Sequence, residues 1–511
     1  MTLTHTGASN PPATAPSTGA APNAPVHRTG GWIDDWRPEE PEFWESGGRQ
    51  VARRNLVWSI FAEHLGFSVW LIWSVSSAFL VSMGFGYTPQ QLFLLVALPN
   101  LVGSLLRLPY TFAVPKFGGR NWTMVSAGLL LVPTLGFAYA VQHPGTPYWA
   151  FCLIAATAGL GGGNFASSMA NINFFYPAAK KGAALGLNAA GGNLGVSLIQ
   201  LFLPVIVGGA GIFGLVKAAD SGISLQRAAY VYAGLAVVAT LAAYFFMDNL
   251  SSAKSKPREQ LQVVKERQTW VMAFLYIGTF GSFIGYSAAM PLLIKLNFWV
   301  ADPAPLGTGI YFAYYAFLGA LVGSATRPLG GWLADRFGGA RVTLAAFAAM
   351  IVFTLAVLWT LTQLTPNPDQ SAGIAEDNRS WFPWFLAFFL CVFAATGIGN
   401  GSTYKMIPAI FRTQAERATP AGSAERAAAL HAGTKKASAA IGVIGAVGAI
   451  GGFLIPIAFS SPWVDQPMEA TKGAFVVFTG FYVVCAAVTW AVFVRRPHEA
   501  KAHVSLANAG I

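Results

Sequence analysis

Two stretches of the chain, "SLLRLPYTFAVPKFGG" at residues 104–119 and "SATRPLGGWLADRFGG" at residues 324–339, share one unusual pattern. Each stretch places an arginine inside a long apolar segment, Arg107 in the first and Arg327 in the second. In both stretches a Phe-Gly-Gly sequence begins ten residues after the arginine. Because the pattern occurs once in each half of the chain, it indicates an internal repeat with the two arginines at equivalent positions.

The composition around these stretches is that of a membrane protein. The 511 residues are 54% hydrophobic and only 10% charged, with a mean hydropathy of +0.51. Soluble domains carry about 25% charged residues, and apolar runs of about 20 residues are typical of membrane-spanning helices. The sequence therefore predicts an all-α polytopic membrane protein and excludes a globular enzyme with a single anchor.

Twelve apolar segments follow one another from Leu56 onwards, and a basic loop divides them six and six. This arrangement predicts twelve transmembrane helices in two six-helix, pseudo-symmetric halves. The expected organisation is a disordered cytoplasmic tail, a first bundle, a cytoplasmic loop, a second bundle and a cytoplasmic tail. The corresponding ranges are 1–50, 51–250, 251–268, 269–496 and 497–511.

The distribution of positive charge predicts the orientation of the chain. Clusters of lysine and arginine fall in alternate loops, and the central loop is among the richest in them. Because basic residues accumulate on the cytoplasmic side, we expect a multi-pass protein of the plasma (inner) membrane with both termini in the cytoplasm. The formal net charge of +11 is thereby explained by topology and does not indicate binding to nucleic acid.

The sequence offers no chemistry typical of an enzyme or of a metal site. Cys152, Cys391 and Cys485 lie far apart in apolar segments, so they form neither a disulfide framework nor a set of metal ligands. No nucleophile constellation and no phosphate-binding loop is recognisable. We therefore expect no enzymatic activity, no cofactor and no metal.

The repeat extends to glycine-rich motifs. The fourth segment contains "GLGGGNFASSM" and the tenth "GIGNGSTYKM", while the fifth and eleventh segments carry glycine ladders. Small residues of this kind serve close helix packing or relative movement of helices, and both roles stay open. The glycines assigned to packing or gating are Gly186, Gly192, Gly195, Gly445, Gly448 and Gly451.

The two arginines require a specific explanation, because an arginine in the middle of a membrane helix costs about 2.5–3.5 kcal/mol on insertion scales. Glu63 and Asp335 are the acidic residues of these segments, and we expect neither at the depth of the arginines. The alternatives are pairing with helix-end carbonyls or with Glu63, or an anionic ligand. Two arginines at equivalent repeat positions favour the anion, and the forked guanidinium favours a planar oxyanion.

The motifs in their order along the chain resemble those of the NarK-type nitrate/nitrite porters of the major facilitator superfamily. "RLPYTFAVPKFGG", "GGGNFASSMANINFFYP", "GLNAAGGNLGVS", "LYIGTFGSFIGYS" and "GAVGAIGGFLIP" carry the resemblance, which runs from about residue 55 to residue 496. It implies that two arginines clamp the substrate, two aromatic rings enclose it and two polar side chains bind it by hydrogen bonds. In that order, these residues are Arg107, Arg327, Phe165, Phe280, Tyr276 and Asn193.

The expected function is the import of nitrate in exchange for cytosolic nitrite by alternating access. Two guanidinium groups facing an empty site repel each other, and an anion relieves that repulsion, so the loaded carrier is expected to reorient more readily. Nitrate/proton symport is the first alternative, although no carboxylate is expected at mid-membrane, and a non-transporting nitrate sensor is the second. The expected partners are the two anions and the lipid bilayer, and the protein is expected to function as a monomer.

Overall fold

The computed structural model describes residue 25 and residues 27–220, 222–254, 261–300, 307–367, 370–420, 422–461 and 466–495. Long helices dominate these ranges. In chain order they are α1 Pro41–Leu80, α2 Pro89–Phe117, α3 Gly119–Gln142, α4 Tyr148–Phe175, α5 Ala178–Ile206, α6 Gln226–Phe246, α7 Arg267–Phe298, α8 Ala316–Phe337, α9 Gly339–Thr362, α10 Ala372–Ala418, α11 Glu425–Phe459 and α12 Pro467–Val494.

All of these helices except α8 are long and apolar enough to cross a membrane, which makes eleven within the described part of the chain. Helix α8 has 22 residues and carries Arg327, Asp335 and Arg336, whose charges lower its apolarity. With α8 included, the described helices are consistent with the twelve predicted segments. The mostly helical, membrane-spanning fold class is confirmed.

Several helices change their geometry part way along. Helix α1 is interrupted at Leu71, and α4 contains a 3₁₀ turn at Ala158–Gly161. Helix α7 contains a π turn at Ile277–Gly281. Turns of the π type occur frequently at functional sites, and this one directly follows Tyr276 and includes Phe280.

Short strands accompany the helices. Strand β1 (His27–Arg28) pairs antiparallel with β2 (Trp32–Ile33), and β2 pairs parallel with β3 (Asn249–Leu250). Strands β4 (Trp299–Val300) and β5 (Thr308–Gly309) form a separate antiparallel pair.

The segment before the first helix differs from its prediction. Residues 1–50 were expected to be disordered, but residues 27–50 form β1, β2 and the start of α1. The cause is burial of apolar side chains, since Trp36 and Phe43 contact each other and Trp36 contacts Phe175 at the end of α4. Residues 1–24, together with residues 497–511 of the second predicted tail, lie outside the described residues.

The two halves use the same turn after the arginine-bearing helix. Gly118 between α2 and α3 has φ 91° and ψ 152°, and Gly338 between α8 and α9 has φ 89° and ψ 133°. Residues other than glycine rarely adopt such a positive φ, because their Cβ clashes with the backbone. The first glycine of each Phe-Gly-Gly sequence is therefore explained by backbone geometry, and the shared turn supports the internal repeat.

The two halves meet along α2 and α11, α5 and α8, and α1 and α7. At one face this interface is closed, because the Gln200 amide donates to the Ser287 carbonyl at 2.6 Å and the Lys295 ammonium donates to the Ala78 carbonyl at 2.7 Å. At the other face a cavity of about 630 Å³ opens beside Lys254 and the rest of the central loop. The structure is thus a conformation open toward the central-loop face.

Candidate functional site

Arg107 lies at the inner end of this cavity and is completely buried. Its Nε donates to the Gly162 carbonyl of α4 at 3.2 Å, and Nη1 donates to the Gly445 carbonyl of α11 at 3.1 Å. Its Nη2 has no hydrogen-bond partner among the described residues. Arg107 therefore bridges the two halves and keeps one donor nitrogen available.

Aromatic rings surround the Arg107 guanidinium. Its central carbon lies 4.7 Å from the ring centroid of Phe280 and 4.9 Å from that of Phe165. Trp70 is the next nearest ring, at 5.4 Å. Aromatic faces stabilise a cation through their quadrupole, so the rings compensate part of the cost of burying the charge.

Arg327 approaches the same site from the second half. Its guanidinium carbon lies 5.7 Å from the Phe165 ring and 5.5 Å from the Tyr404 ring, and the residue is only 7% exposed. Its Nη1 also has no hydrogen-bond partner among the described residues. The two guanidinium groups are close enough to interact electrostatically, and neither is in a salt bridge within the described part of the chain. The predicted pair of arginines therefore meets at one site.

Phe165 and Phe280 face each other across the site. Their ring planes are inclined by 25° and their centroids are 6.3 Å apart. Enclosing a flat molecule at van der Waals contact requires roughly 7 Å between two faces. A small separation of the rings therefore opens a slot for a planar group next to Arg107.

Tyr276 adds a polar group to this arrangement. Its ring stacks on Phe280 with a centroid distance of 5.3 Å, and its hydroxyl is buried without a hydrogen-bond partner among the described residues. Both arginines interact electrostatically with it. Asn193 is also buried with both amide atoms unpaired, but no hydrogen bond of the described residues joins it to either arginine. Its contact with a substrate stays a prediction.

The unpaired polar atoms point to a ligand. Buried donors and acceptors in proteins are nearly always hydrogen-bonded, so an unpaired one calls for an explanation. Arg107 Nη2, Arg327 Nη1 and the Tyr276 hydroxyl are three unpaired donors around one set of rings. Unpaired donors on side chains that contact Phe165 or Phe280, two of them charged, fit an anion with several oxygen acceptors.

The glycines of the two ladders fall into different situations. A Cβ at Gly451 would lie 2.6 Å from the Gly281 Cα, and one at Gly448 would overlap Tyr276, so α7 and α11 touch at these positions. In α5, a Cβ at Gly195 would overlap the His64 carbonyl of α1, and one at Gly192 would overlap the Glu63 carboxylate. A Cβ at Gly186 would have open space, and one at Gly445 would lie 3.8 Å from Arg107 Nη1, which is ordinary contact. In this conformation four of the six glycines stand at close contacts.

Glu63 departs from its predicted position. It was expected away from the arginines, but it is completely buried in α1 and interacts electrostatically with both Arg327 and Arg107. The reason is that regular helix begins at Arg49, seven residues before the predicted segment. Glu63 therefore lies about 21 Å along the helix, at 1.5 Å per residue, and reaches the depth of the site.

Tyr404 of α10 was not predicted as a site residue, although the repeated motifs of the sequence indicate it. Phe165 stands six residues after the start of "GLGGGNFASSM", and Tyr404 stands seven residues after the start of "GIGNGSTYKM". The repeat therefore contains an aromatic residue in nearly the same place in each half. Both rings contact the Arg327 guanidinium.

Comparison with known proteins agrees with this fold. The sequence profile of the Major Facilitator Superfamily matches residues 64–456. The fold is also that of a crystallised D-xylose-proton symporter, with a TM-score of 0.56 at 14% identity over 85% of this chain and 96% of the other. The inward open conformation of the xylose transporter XylE from E. coli matches with the same TM-score and identity, over 88% and 98%.

Proteins similar in sequence define the family more narrowly than the similar folds do. The nitrate/nitrite transporter NarU of Salmonella typhimurium is 41% identical over 473 residues, which cover 91% of this chain and 96% of NarU. The probable nitrate/nitrite antiporter NarK2 of Thermus thermophilus is 38% identical over 392 residues, 75% of this chain and 83% of NarK2. The profile match over most of the chain and the transporter relatives define a membrane transporter, not an enzyme, and the chain belongs to the major facilitator superfamily. Within it, the protein is a member of the NarK-type nitrate/nitrite porters.

Proposed function

We propose that this protein carries nitrate and nitrite across the membrane by alternating access, with the anion held between Arg107 and Arg327. The observation that carries the proposal is the pair of buried guanidinium groups from opposite halves, each with an unpaired nitrogen. The cavity that reaches Arg107 from one face supplies the access route. Lysines near its mouth attract anions electrostatically; they are Lys181, Lys254, Lys435 and Lys436.

The chemistry of the two anions fits the slot between Phe165 and Phe280. Nitrate and nitrite are flat, carry one negative charge and present oxygen acceptors to a forked guanidinium. Because a single charge costs less to desolvate than a double charge, these anions enter a buried site more readily than sulfate. Planarity and single charge together are the basis of the proposed selectivity.

Exchange of nitrate for nitrite is the proposed mode of transport. The two guanidinium groups interact across the site, and their repulsion is relieved by a bound anion. Reorientation is therefore favoured in the loaded carrier, and the swap of one monovalent anion for another moves no net charge. The proposed setting is the plasma (inner) membrane, with both termini in the cytoplasm and a functional monomer.

Nitrate/proton symport is the second candidate, and one observation favours it. Glu63 is a buried carboxylate within electrostatic reach of both arginines, so the site contains a group that can hold a proton. The carboxylate also reduces the repulsion in the empty site on which the exchange argument depends.

The modes are separated by transport into liposomes that contain the purified protein. Nitrate uptake is followed with and without internal nitrite, and with and without acid outside. Uptake that requires internal nitrite supports exchange, whereas acid-driven uptake into anion-free vesicles supports symport. A protein that binds nitrate but transports none would contradict both transport modes. The remaining alternative would then be a non-transporting nitrate sensor.

Tyr276→Phe is expected to lower nitrate affinity by about 10- to 100-fold, because a hydrogen bond to a charged partner contributes about 1.5–3 kcal/mol. The change removes only the unpaired hydroxyl and keeps the ring that stacks on Phe280. Calorimetric titration of the purified protein with nitrate measures the effect. Tyr139→Phe, at a 60% exposed position in α3, is the matched control. Unchanged affinity in Tyr276→Phe would remove this hydroxyl from the proposed site.

A further inference from the structure

Glu63 occupies a distinctive place between the two arginines and α5. It is completely buried, and its Oε2 accepts a hydrogen bond from the Asn188 amide at 2.7 Å. Its Oε1 lies against Gly192 and has no hydrogen-bond partner among the described residues. One carboxylate oxygen is therefore held in position, while the other is available to bind a proton.

The charged and titratable groups that face Glu63 come from three helices. They are Arg107 of α2, Arg327 of α8 and Tyr404 of α10. The remaining neighbours are neutral, namely Asn188 of α5 and Ser168 of α4, which are themselves joined at 2.6 Å. The adjacent His64 makes its hydrogen bond elsewhere, to the Gly191 carbonyl. Glu63 is therefore the acidic member of a cluster whose other charges are both positive.

Counting charges shows what an arriving anion does to this cluster. With Glu63 ionised, the two guanidinium groups and the carboxylate sum to one positive charge. A bound nitrate brings a second negative group to the same two arginines, and like charges at short range repel strongly where water is scarce. Repulsion between nitrate and carboxylate raises the proton affinity of Glu63. Proton uptake then restores the single positive charge of the empty site.

We propose that Glu63 takes up one proton when nitrate binds and releases it when nitrate leaves, so that anion and proton cross together. The step is RCOO⁻ + H⁺ → RCOOH, with the proton drawn from the solution at the open face and returned at the opposite face. This inference rests on the proposed transport of nitrate and names the group that couples it to protons.

The proposal reconciles the two transport modes. In exchange, the proton that enters with nitrate is balanced by the proton that leaves with nitrite, so exchange needs no pH gradient. In net uptake, the empty carrier returns with Glu63 ionised, and the carboxylate offsets the repulsion between Arg107 and Arg327. Glu63 thus allows an otherwise obligatory exchanger to return empty.

Glu63→Gln tests this role because the amide keeps the shape of the side chain and cannot ionise. In liposomes, we expect the variant to exchange nitrate for nitrite within about threefold of the wild-type rate, since exchange carries no net proton. We expect its acid-driven uptake into anion-free vesicles to fall at least about tenfold, because the positive empty site no longer has an internal counter-charge. Undiminished acid-driven uptake in Glu63→Gln would overturn the proposal.

A binding measurement on the wild-type protein makes the test independent of how the variant folds. Calorimetric titration with nitrate in buffers of different ionisation enthalpy is expected to show uptake of about one proton per anion. Because the bound state holds the extra proton, nitrate affinity falls as pH rises, by at most about tenfold per pH unit. No proton uptake by the wild-type protein between pH 5 and about pH 9 would refute the role of Glu63.

Two comparisons separate failure of this inference from failure of the proposed function. Wild-type protein that exchanges nitrate for nitrite without any proton uptake on binding retains the proposed function and loses the role of Glu63. Wild-type protein that neither binds nor exchanges nitrate overturns both. Glu376→Gln, at an exposed carboxylate paired with Arg379, is the matched control and is expected to behave as wild type in every assay.

Discussion

Arg107→Lys is expected to lower nitrate affinity by about 100-fold or more, because truncating one partner of a buried charge pair costs about 2–5 kcal/mol. Lysine keeps the positive charge but replaces a planar fork with a single ammonium group. The substitution also removes the donors that Arg107 directs to the Gly162 and Gly445 carbonyls. Calorimetric titration with nitrate and exchange in liposomes measure the loss.

A parallel variant and two control variants show whether the loss of nitrate affinity is specific to the two buried arginines. Arg327→Lys is expected to cause a loss of similar size, because its guanidinium carries an unpaired Nη1 and lies near the Phe165 ring that Arg107 also contacts. Lys116→Arg, at an exposed position of the same helix as Arg107, and Arg336→Lys, at an exposed position of the same helix as Arg327, are expected to stay within about twofold of wild type. Nitrate affinity at the wild-type level in Arg107→Lys would mean that the anion is not bound through the guanidinium fork.

Gly451→Ala is expected to slow nitrate/nitrite exchange by about 5- to 100-fold, because overpacking a close contact costs about 1–3 kcal/mol and displaces the backbone. The added methyl carbon would lie 2.6 Å from the Cα and 2.9 Å from the carbonyl carbon of Gly281. Backbone atoms cannot yield as the end of a flexible side chain can, so α7 and α11 must separate. That separation displaces the π turn at Ile277–Gly281, which carries Phe280. Exchange rates in liposomes and the Tm of the purified protein, which is expected to fall, measure the effect.

Gly186→Ala is the control for this substitution. Gly186 belongs to the equivalent ladder of the first half, but no atom lies within 4 Å of the methyl group that the change adds. Exchange within about twofold of wild type is expected, since a substitution into open space has a small effect. If Gly186→Ala inhibited exchange as strongly as Gly451→Ala, close contact in this conformation would not explain why the ladders contain glycine.

Much of the architecture follows from local properties of the sequence. Uninterrupted apolar segments determine the helices, and the cost of burying a charge in the membrane makes Arg107 and Arg327 conspicuous. The Phe-Gly-Gly repeats mark the turns in which Gly118 and Gly338 have a positive φ. These features could be predicted because each depends on residues close together in the chain.

Features that depend on distant partners were predicted less well. The depth of Glu63 was misjudged because α1 continues through polar residues that a hydropathy pattern assigns to the outside. The order in residues 27–50 was missed because it depends on Phe175 and on β3, far along the chain. Tyr404 was missed because its importance comes from its proximity to Arg327.

The hydrogen bond from Arg107 to the Gly445 carbonyl has a consequence for turnover. The donor belongs to the first half and the acceptor to the second, so this bond joins the two bundles at the proposed anion site. Breaking a hydrogen bond made by a charged donor costs about 1.5–3 kcal/mol, and in the proposed function a bond from Nη2 to an anion oxygen would contribute a similar amount. If one arginine makes both the contact between the bundles and the contact to the proposed anion, the conformations of the carrier stay nearly equal in free energy. Neither conformation is then stable enough to halt the transport cycle.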